Sequence, residues 1–356
     1  MYGKIKVSKI KRGVIAMYSF RNDYSEGAHQ NILNALKESN LEQCEGYGED
    51  IYTQKAVELL KQKIGRQDIF IHFIPGGTQT NLITISSFLR PHEAAIGANS
   101  AHINVHETGA IEATGHKVLT IETGDGKIEP KQIKAVLESH TDEHMVKPKL
   151  VYISDSTEIG TIYNKKELKN ISDFCKENNL LLFLDGARLG SALCSEGNDL
   201  TLSDLSKLTD AFYIGGTKNG ALIGEALVIN NQSLEEDFRY FMKQKGALLA
   251  KGKILGIQFL ELFKDDLFFD LAKHANNMSS ILRNEIAALG YKFLTASPSN
   301  QIFPIFPNNI IKELEKKYLF NVWGKETENS SSIRLVTSWA TKEEAVNEFI
   351  ADLKKL

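Results

Sequence analysis

Two runs in this 356-residue chain carry residues that could do chemistry together. Leu-Phe-Leu-Asp-Gly-Ala-Arg (182–188) reads as an apolar strand ending in a carboxylate, Asp185, at the mouth of a helix. Ile-Gly-Gly-Thr-Lys-Asn-Gly (214–220) reads as a second strand ending in a glycine turn that presents Lys218. A lysine amine condenses with an aldehyde, and a carboxylate can keep a ring nitrogen protonated so that the ring accepts electrons. A pyridoxal phosphate (PLP) site needs that pair.

Other runs fit the same chemistry. Pro-Gly-Gly-Thr-Gln-Thr-Asn (75–81) lies between a strand pattern and a helix pattern. The amides of Gly77, Thr78 and Gln79 would open that helix, and a helix N-terminus attracts phosphate. The run is neither a Walker loop nor a GxGxxG fingerprint. His102 heads another helix pattern, where a flat imidazole could stack on a ring. His102 and His106 share a helix face at i, i+4, but no further ligands accompany them, so no metal is expected. Arg334 lies on a strand pattern, where a planar guanidinium could grip a substrate carboxylate.

Each residue also has a plainer use. Thr78 or Asp185 could cap a helix. Lys218 could be a solvated turn lysine, Arg188 a surface residue, and His102 a capping or interface histidine. Arg334 could sit in a cross-strand ion pair. What favours the cofactor reading is order: phosphate loop, aspartate and lysine follow one another, each at a strand's carboxyl end.

The elements that must position them alternate. Strand patterns fall at 69–74, 94–97, 117–121, 149–154, 180–184 and 211–214, and one at 226–230 can run antiparallel. Helix patterns fall at 78–89, 101–113, 129–139, 165–178 and 187–194. Strands apolar on both faces, separated by helices, predict a mainly parallel sheet covered on both sides. Ligands bind such sheets outside the strands' carboxyl ends. Beyond 232 come long helical patterns to about 288, strands at 301–306 and 332–336, and helices at 308–317 and 341–354. The expected organisation is an N-terminal arm and helix (1–45), a large PLP-binding domain (46–255) and a small C-terminal domain (256–356).

Composition narrows the function classes. Apolar residues make up 42% and charged residues 24% of the chain, enough for a large core. A net charge of −3 gives no electrostatic case for nucleic acid. The three cysteines, Cys44, Cys175 and Cys194, are too scattered for a disulfide framework, and the last two read as buried thiols. Met1–Val7 has no apolar signal core, and no stretch is long enough to span a bilayer. A cytoplasmic protein with no membrane partner is expected.

Together the motifs resemble the threonine aldolase branch of the PLP-dependent β-eliminating lyase family, over nearly the whole chain. They are Glu-Gly-Tyr-Gly-Glu-Asp (45–50), Gly-Gly-Thr-Gln-Thr-Asn (76–81), Ala-His-Ile-Asn-Val-His-Glu-Thr-Gly (101–109), Ser-Thr-Glu-Ile-Gly-Thr-Ile-Tyr (156–163), Leu-Asp-Gly-Ala-Arg-Leu (184–189), Gly-Gly-Thr-Lys-Asn-Gly (215–220) and Ile-Arg-Leu-Val-Thr-Ser-Trp (333–339). The resemblance implies an α/β, aspartate-aminotransferase-like fold (fold type I), with a mainly parallel seven-stranded sheet flanked by helices and a small α+β C-terminal domain.

It also implies roles. Lys218 matches the Schiff-base lysine and Asp185 the partner of the ring nitrogen. Gly77 and Thr78 match the phosphate loop, and His102 the stacking histidine. Arg188 matches an arginine near the cofactor's 3′ oxygen and the substrate carboxylate, and Arg334 the carboxylate-binding arginine. His144 falls where some members place a second histidine near the substrate hydroxyl. Tyr47 matches a tyrosine that reaches the partner subunit's site, and Lys251 a basic residue contacting phosphate across that interface. Many members carry a serine beside an aspartate near the N-terminus. Here Arg-Asn-Asp-Tyr-Ser (21–25) stands there, so Asn22, Asp23 or Ser25 would help hold the substrate. Many also carry Ser-Lys-Gly where this chain has Thr-Lys-Asn.

The implied reaction is cleavage of a β-hydroxy-α-amino acid, L-threonine or L-allo-threonine, to glycine and an aldehyde. His102, His144 or a water they hold would take the β-hydroxyl proton. A PLP-dependent β-elimination or transamination is the alternative, and a non-catalytic binding protein the remaining one. A homodimer or homotetramer with shared active sites is expected.

Overall fold

The computed structural model describes residues 17–356. The reading of Met1–Val7 lies outside the described residues. Seven strands form the main sheet: β1 (Phe70–Ile74), β2 (Glu93–Ala98), β3 (Val118–Ile121), β4 (Lys147–Ser154), β5 (Leu181–Asp185), β6 (Ala211–Gly215) and β7 (Glu225–Ile229). Their order is β1-β7-β6-β5-β4-β2-β3. Only β7 runs against its neighbours. The other pairs are parallel.

Every residue of β5 and β6 is buried. Their Leu, Phe and Ile side chains leave both faces apolar, so helices must cover both. The carboxyl ends of β1 to β6 therefore share one edge. β7 begins at that edge, with Glu225 opposite Ile74 on one side and Gly215 on the other.

Two buried clusters form. One runs from Ala28 to Leu271 and encloses the main sheet. The second joins Phe20 to residues from Met278 to Leu353. The helix Leu267–Ala288 contributes to both: Phe268 and Leu271 to the first, Met278, Leu282 and Ile286 to the second.

Several elements are shorter than their patterns. The helix expected over 101–113 is only His102–Val105, with a 3-10 turn at Glu112–Thr114. Thr108 (φ 55°) and Gly109 (φ 72°) sit in the left-handed region and end it. The long pattern after 232 splits into Phe238–Gln244, Lys253–Lys264 and Leu267–Ala288, divided at Gly246 (φ 74°) and Asp266 (φ 58°). The strand expected at 301–306 breaks before Pro304, which has no amide for the ladder. Gln301–Ile302 and Ile305–Pro307 pair with opposite ends of Ser330–Val336. That strand pairs on its other side with Asn321–Lys325, which no strand pattern anticipated. No helix of the described residues is long and apolar enough to cross a membrane.

Candidate active site

Asp185 is the last residue of β5 and is 4% exposed. The strand-end register places its carboxylate among donors from four different segments. Oδ2 accepts from Tyr152 Oη (2.5 Å) and Asn81 Nδ2 (3.0 Å). Oδ1 accepts from Tyr213 Oη (2.5 Å) and the Ala187 amide (3.0 Å). Burial pushes its carboxyl up, but the charge of His102 and these hydrogen bonds outweigh it and hold the group below the usual carboxylate range. Asp185 does not cap the following helix, which begins at Leu189 with Arg188 as its N-cap residue.

Lys218 follows β6 in a turn closed by Gly216 N–H to Gly224 O (3.0 Å). Burial, with the positive charge of Arg188 beside it, pushes its amine below the ordinary lysine range. No hydrogen-bond partner among the described residues holds it. Lys218 and Asp185 line one cleft of about 230 Å³. Gly76, Gly77, Thr78 and His102 form part of its wall. The 12-residue helix Gly77–Phe88 starts there, and its N-cap residue Gly76 makes no side-chain cap. Thr78 is therefore inside the first turn rather than at the cap. The opening amides face the cleft without a competing side chain.

His102 Nδ1 meets Glu107 Oε1 at 2.7 Å, and Asn81 Nδ2 donates to the same oxygen at 2.7 Å. Asn81 thus ties Glu107 to Asp185. Burial alone would push the His102 imidazole down; Glu107, Glu158 and Asp185 raise it above the usual value. Burial pushes the Glu107 carboxyl up. Glu225 also lines the cleft, accepts from Gly216 N–H (3.0 Å), and is pushed up to about 8 by burial.

Arg188 donates through Nε (2.7 Å) and Nη2 (3.0 Å) to the two oxygens of Asp23. Asn300 Nδ2 also donates to Asp23, at 3.0 Å. Asp23 is 1% exposed, and its carboxylate holds Arg188. Asn22 remains half-buried, its Oδ1 accepting from Tyr24 N–H and Ser25 Oγ. Removing one partner of a buried ion pair strands the other charge. Asp23→Ala should lower unfolding stability by about 3–5 kcal/mol in urea titration. A wild-type midpoint would mean that Arg188 is not held this way.

Arg334 lies 5.0 Å over the Trp323 ring and makes one weak bond, Nη2 to Arg21 O (3.4 Å). Its Nε is buried without a partner. Among the described residues no carboxylate pairs with it, so the cross-strand ion pair is not formed. Its guanidinium is free to receive an anion.

Three expected residues lie elsewhere. His144 sits in an exposed turn, its amide on Asp142 Oδ1 (3.0 Å), just before β4. That is the amino edge of the sheet, opposite the cleft, so this chain does not bring it to its own site. Tyr47 (φ 59°) and Lys251 sit together on another surface: Tyr47 N–H donates to Ala250 O (3.4 Å), and a Cβ on Gly252 would lie 2.4 Å from the Gly48 nitrogen. Neither lines the cleft of its own chain. Among the described residues no group of three or more His, Cys, Asp or Glu gathers for a metal. Cys175 is buried, whereas Cys194 is only half-buried.

The sequence model of the family described as beta-eliminating lyase matches residues 20–306. The chain belongs to this family. The low specificity L-threonine aldolase of Pseudomonas sp. (strain NCIMB 10558) is 31% identical over 342 residues, covering 94% of this chain and 96% of that protein. A solved structure of Leishmania major threonine aldolase is 50% identical with a TM-score of 0.94, covering 95% of this chain and 99% of that one. A Thermus thermophilus aspartate aminotransferase, 14% identical, superposes with a TM-score of 0.73 over 97% of this chain and 92% of its own. The lyase family member thus has the aspartate-aminotransferase-like fold.

Asp155 follows β4 and is 1% exposed. Burial pushes its carboxyl up to about 8. The folded chain then holds a proton that the unfolded chain loses near about 4, so stability should fall as pH rises from there to about 8 and level off above. Asp155→Asn should be more stable than wild type at alkaline pH and equal to it in acid, read from thermal unfolding. Parallel curves for the two proteins would contradict this.

Proposed function

We propose that the chain is a PLP-dependent aldolase that cleaves a β-hydroxy-α-amino acid, L-threonine or L-allo-threonine, to glycine and an aldehyde. One observation carries the reading: an amine with a depressed pKa and an ionised, fully hydrogen-bonded carboxylate face one cleft with an uncapped helix N-terminus. The names of the Pseudomonas and Leishmania relatives support the same choice.

The residues fit the cofactor. Lys218 would hold its aldehyde carbon, Asp185 its ring nitrogen, the Gly77 and Thr78 amides its phosphate, and His102 the face of its ring. When bound, PLP supplies an electron sink for the pair left by a broken Cα–Cβ bond. Arg334, with Arg188 beside it, would fix the substrate carboxylate and thereby the direction of that bond. Tyr47 and Lys251 would serve the site of a second subunit in a homodimer or homotetramer. The division into 46–255 and 256–356 and a cytoplasmic location belong to the same proposal.

The test is product analysis of the purified protein with PLP and each amino acid. Glycine and acetaldehyde in equal amounts are expected from L-threonine. Pyruvate with ammonia, or a keto acid formed only with an acceptor, would replace the aldolase reading with elimination or transamination.

A further inference from the structure

Glu225 opens β7 at the carboxyl edge of the sheet, with Ile74 on one side and Gly215 on the other. Directly beyond Ile74 come Pro75 and Gly76, the N-cap residue of the helix Gly77–Phe88. Directly beyond Gly215 comes the turn that carries Lys218, and Glu225 Oε2 accepts from its Gly216 N–H (3.0 Å). One side chain therefore stands between the expected phosphate loop and the lysine turn, and it lines the same cleft as both. It is 4% exposed. Among the described residues Oε1 has no hydrogen-bond partner, and no cation forms an ion pair with the carboxyl.

Charge decides what this carboxyl can do there. A phosphate group carries close to two negative charges at neutral pH. The helix Gly77–Phe88 meets it with backbone amides alone, because no residue of that helix is charged. Among the described residues no arginine lines the cleft. An ionised carboxylate in the same space would oppose a dianion at short range, where little water screens it. A protonated carboxyl would instead add an O–H donor to the amides. Burial favours the protonated form and pushes Glu225 up to about 8, against the pull of the Thr217 hydroxyl, the Lys218 charge and the Gly216 amide. Asp185, on β5, pushes it the same way as burial, and Tyr213, on β6, faces it as a neutral phenol.

We propose that Glu225, as a neutral acid, donates a hydrogen bond to the phosphate of the cofactor beside the Gly77 and Thr78 amides. This rests on the cofactor reading above. The carboxyl O–H bond stays intact, and the phosphate oxygen only accepts. Binding therefore selects the protonated form of Glu225, and above about pH 8 the protein takes up a proton together with the phosphate.

The experiment measures binding of PLP and of pyridoxal by absorbance titration, in the wild-type protein and in Glu225→Gln. Pyridoxal has the same ring and aldehyde but no phosphate. The ratio of the two dissociation constants isolates the phosphate, since Lys218, Asp185 and His102 meet both ligands alike. The second ionisation of the phosphate, near about pH 6, is nearly complete before the window opens. From about pH 7 to about pH 9 the wild-type preference for PLP should fall about tenfold, in step with the protonated fraction of Glu225. In Glu225→Gln, whose amide donates without titrating, the preference should stay level within about twofold. An equal fall in both proteins, or a level preference in the wild type, would overturn the proposal and leave the cofactor reading standing. A second readout needs no variant: calorimetry of the wild type at about pH 8 in buffers of different ionisation enthalpy. PLP should bring about half a proton more into the protein than pyridoxal does. Equal uptake would overturn the proposal too. A protein that forms no lysine-linked chromophore with either ligand would overturn the cofactor reading, and the proposal with it.

Discussion

Lys218→Ala should lose L-threonine cleavage by about 10⁵-fold, equivalent to about 7 kcal/mol of barrier. No other lysine lines the cleft. Burial and the nearby Arg188 push the Lys218 amine below the ordinary range, which enlarges the uncharged, nucleophilic fraction. Lys218→Arg is the matching control. It keeps a positive charge, but its guanidinium stays protonated and cannot condense with an aldehyde. Both variants should be equally inactive. Stability should not fall in step, because Lys218 is half-buried without a hydrogen-bond partner and its removal relieves part of a desolvation cost. Activity within about tenfold of wild type in either variant would remove Lys218 from the chemistry.

Asp185→Ala should lose about 10³-fold or more in kcat, while substrate KM changes far less. An ionised carboxylate at the base of the cleft is what keeps a ring nitrogen protonated, and the hydrogen bonds from Tyr152, Tyr213, Asn81 and Ala187 hold it ionised despite burial. Its loss weakens stabilisation of charge that develops only during bond breaking, so rate suffers before binding does. The substitution also leaves the Tyr152 and Tyr213 hydroxyls without their acceptor, while the Asn81 amide keeps Glu107. Each buried group so stranded costs about 1–3 kcal/mol, so unfolding must be measured beside turnover. Intact turnover with weakened binding would contradict this role.

The ends of strands were the legible part of the site. Asp185 and Lys218 each follow an apolar run that breaks at glycine, and the sheet's parallel order brings such ends to one edge. The sheet was legible for the same reason, because continuous Leu, Ile and Phe runs need cover on both faces. The carboxylate's partners were hidden by that pattern. Where both faces are apolar, alternation cannot say which way Tyr152 or Tyr213 points. The Asp23–Arg188 pair joins residues 165 positions apart, and no local spacing announces it. Asn81 and Glu107 lie inside quoted motifs, but their shared hydrogen bond needs the helix after β1 and the turn after His106 to meet. His144 shows the opposite failure: a motif match does not say at which end of its strand a residue will lie. The helix over 101–113 failed because Thr108 takes a left-handed conformation that its side chain does not advertise.

The most direct measurement is borohydride reduction of the PLP-loaded protein, followed by peptide mass spectrometry. The predicted result is a single pyridoxyl-phosphate adduct on Lys218, in the peptide containing Gly215 to Gly220. An adduct on another lysine, or none with the protein folded and saturated with PLP, would contradict it.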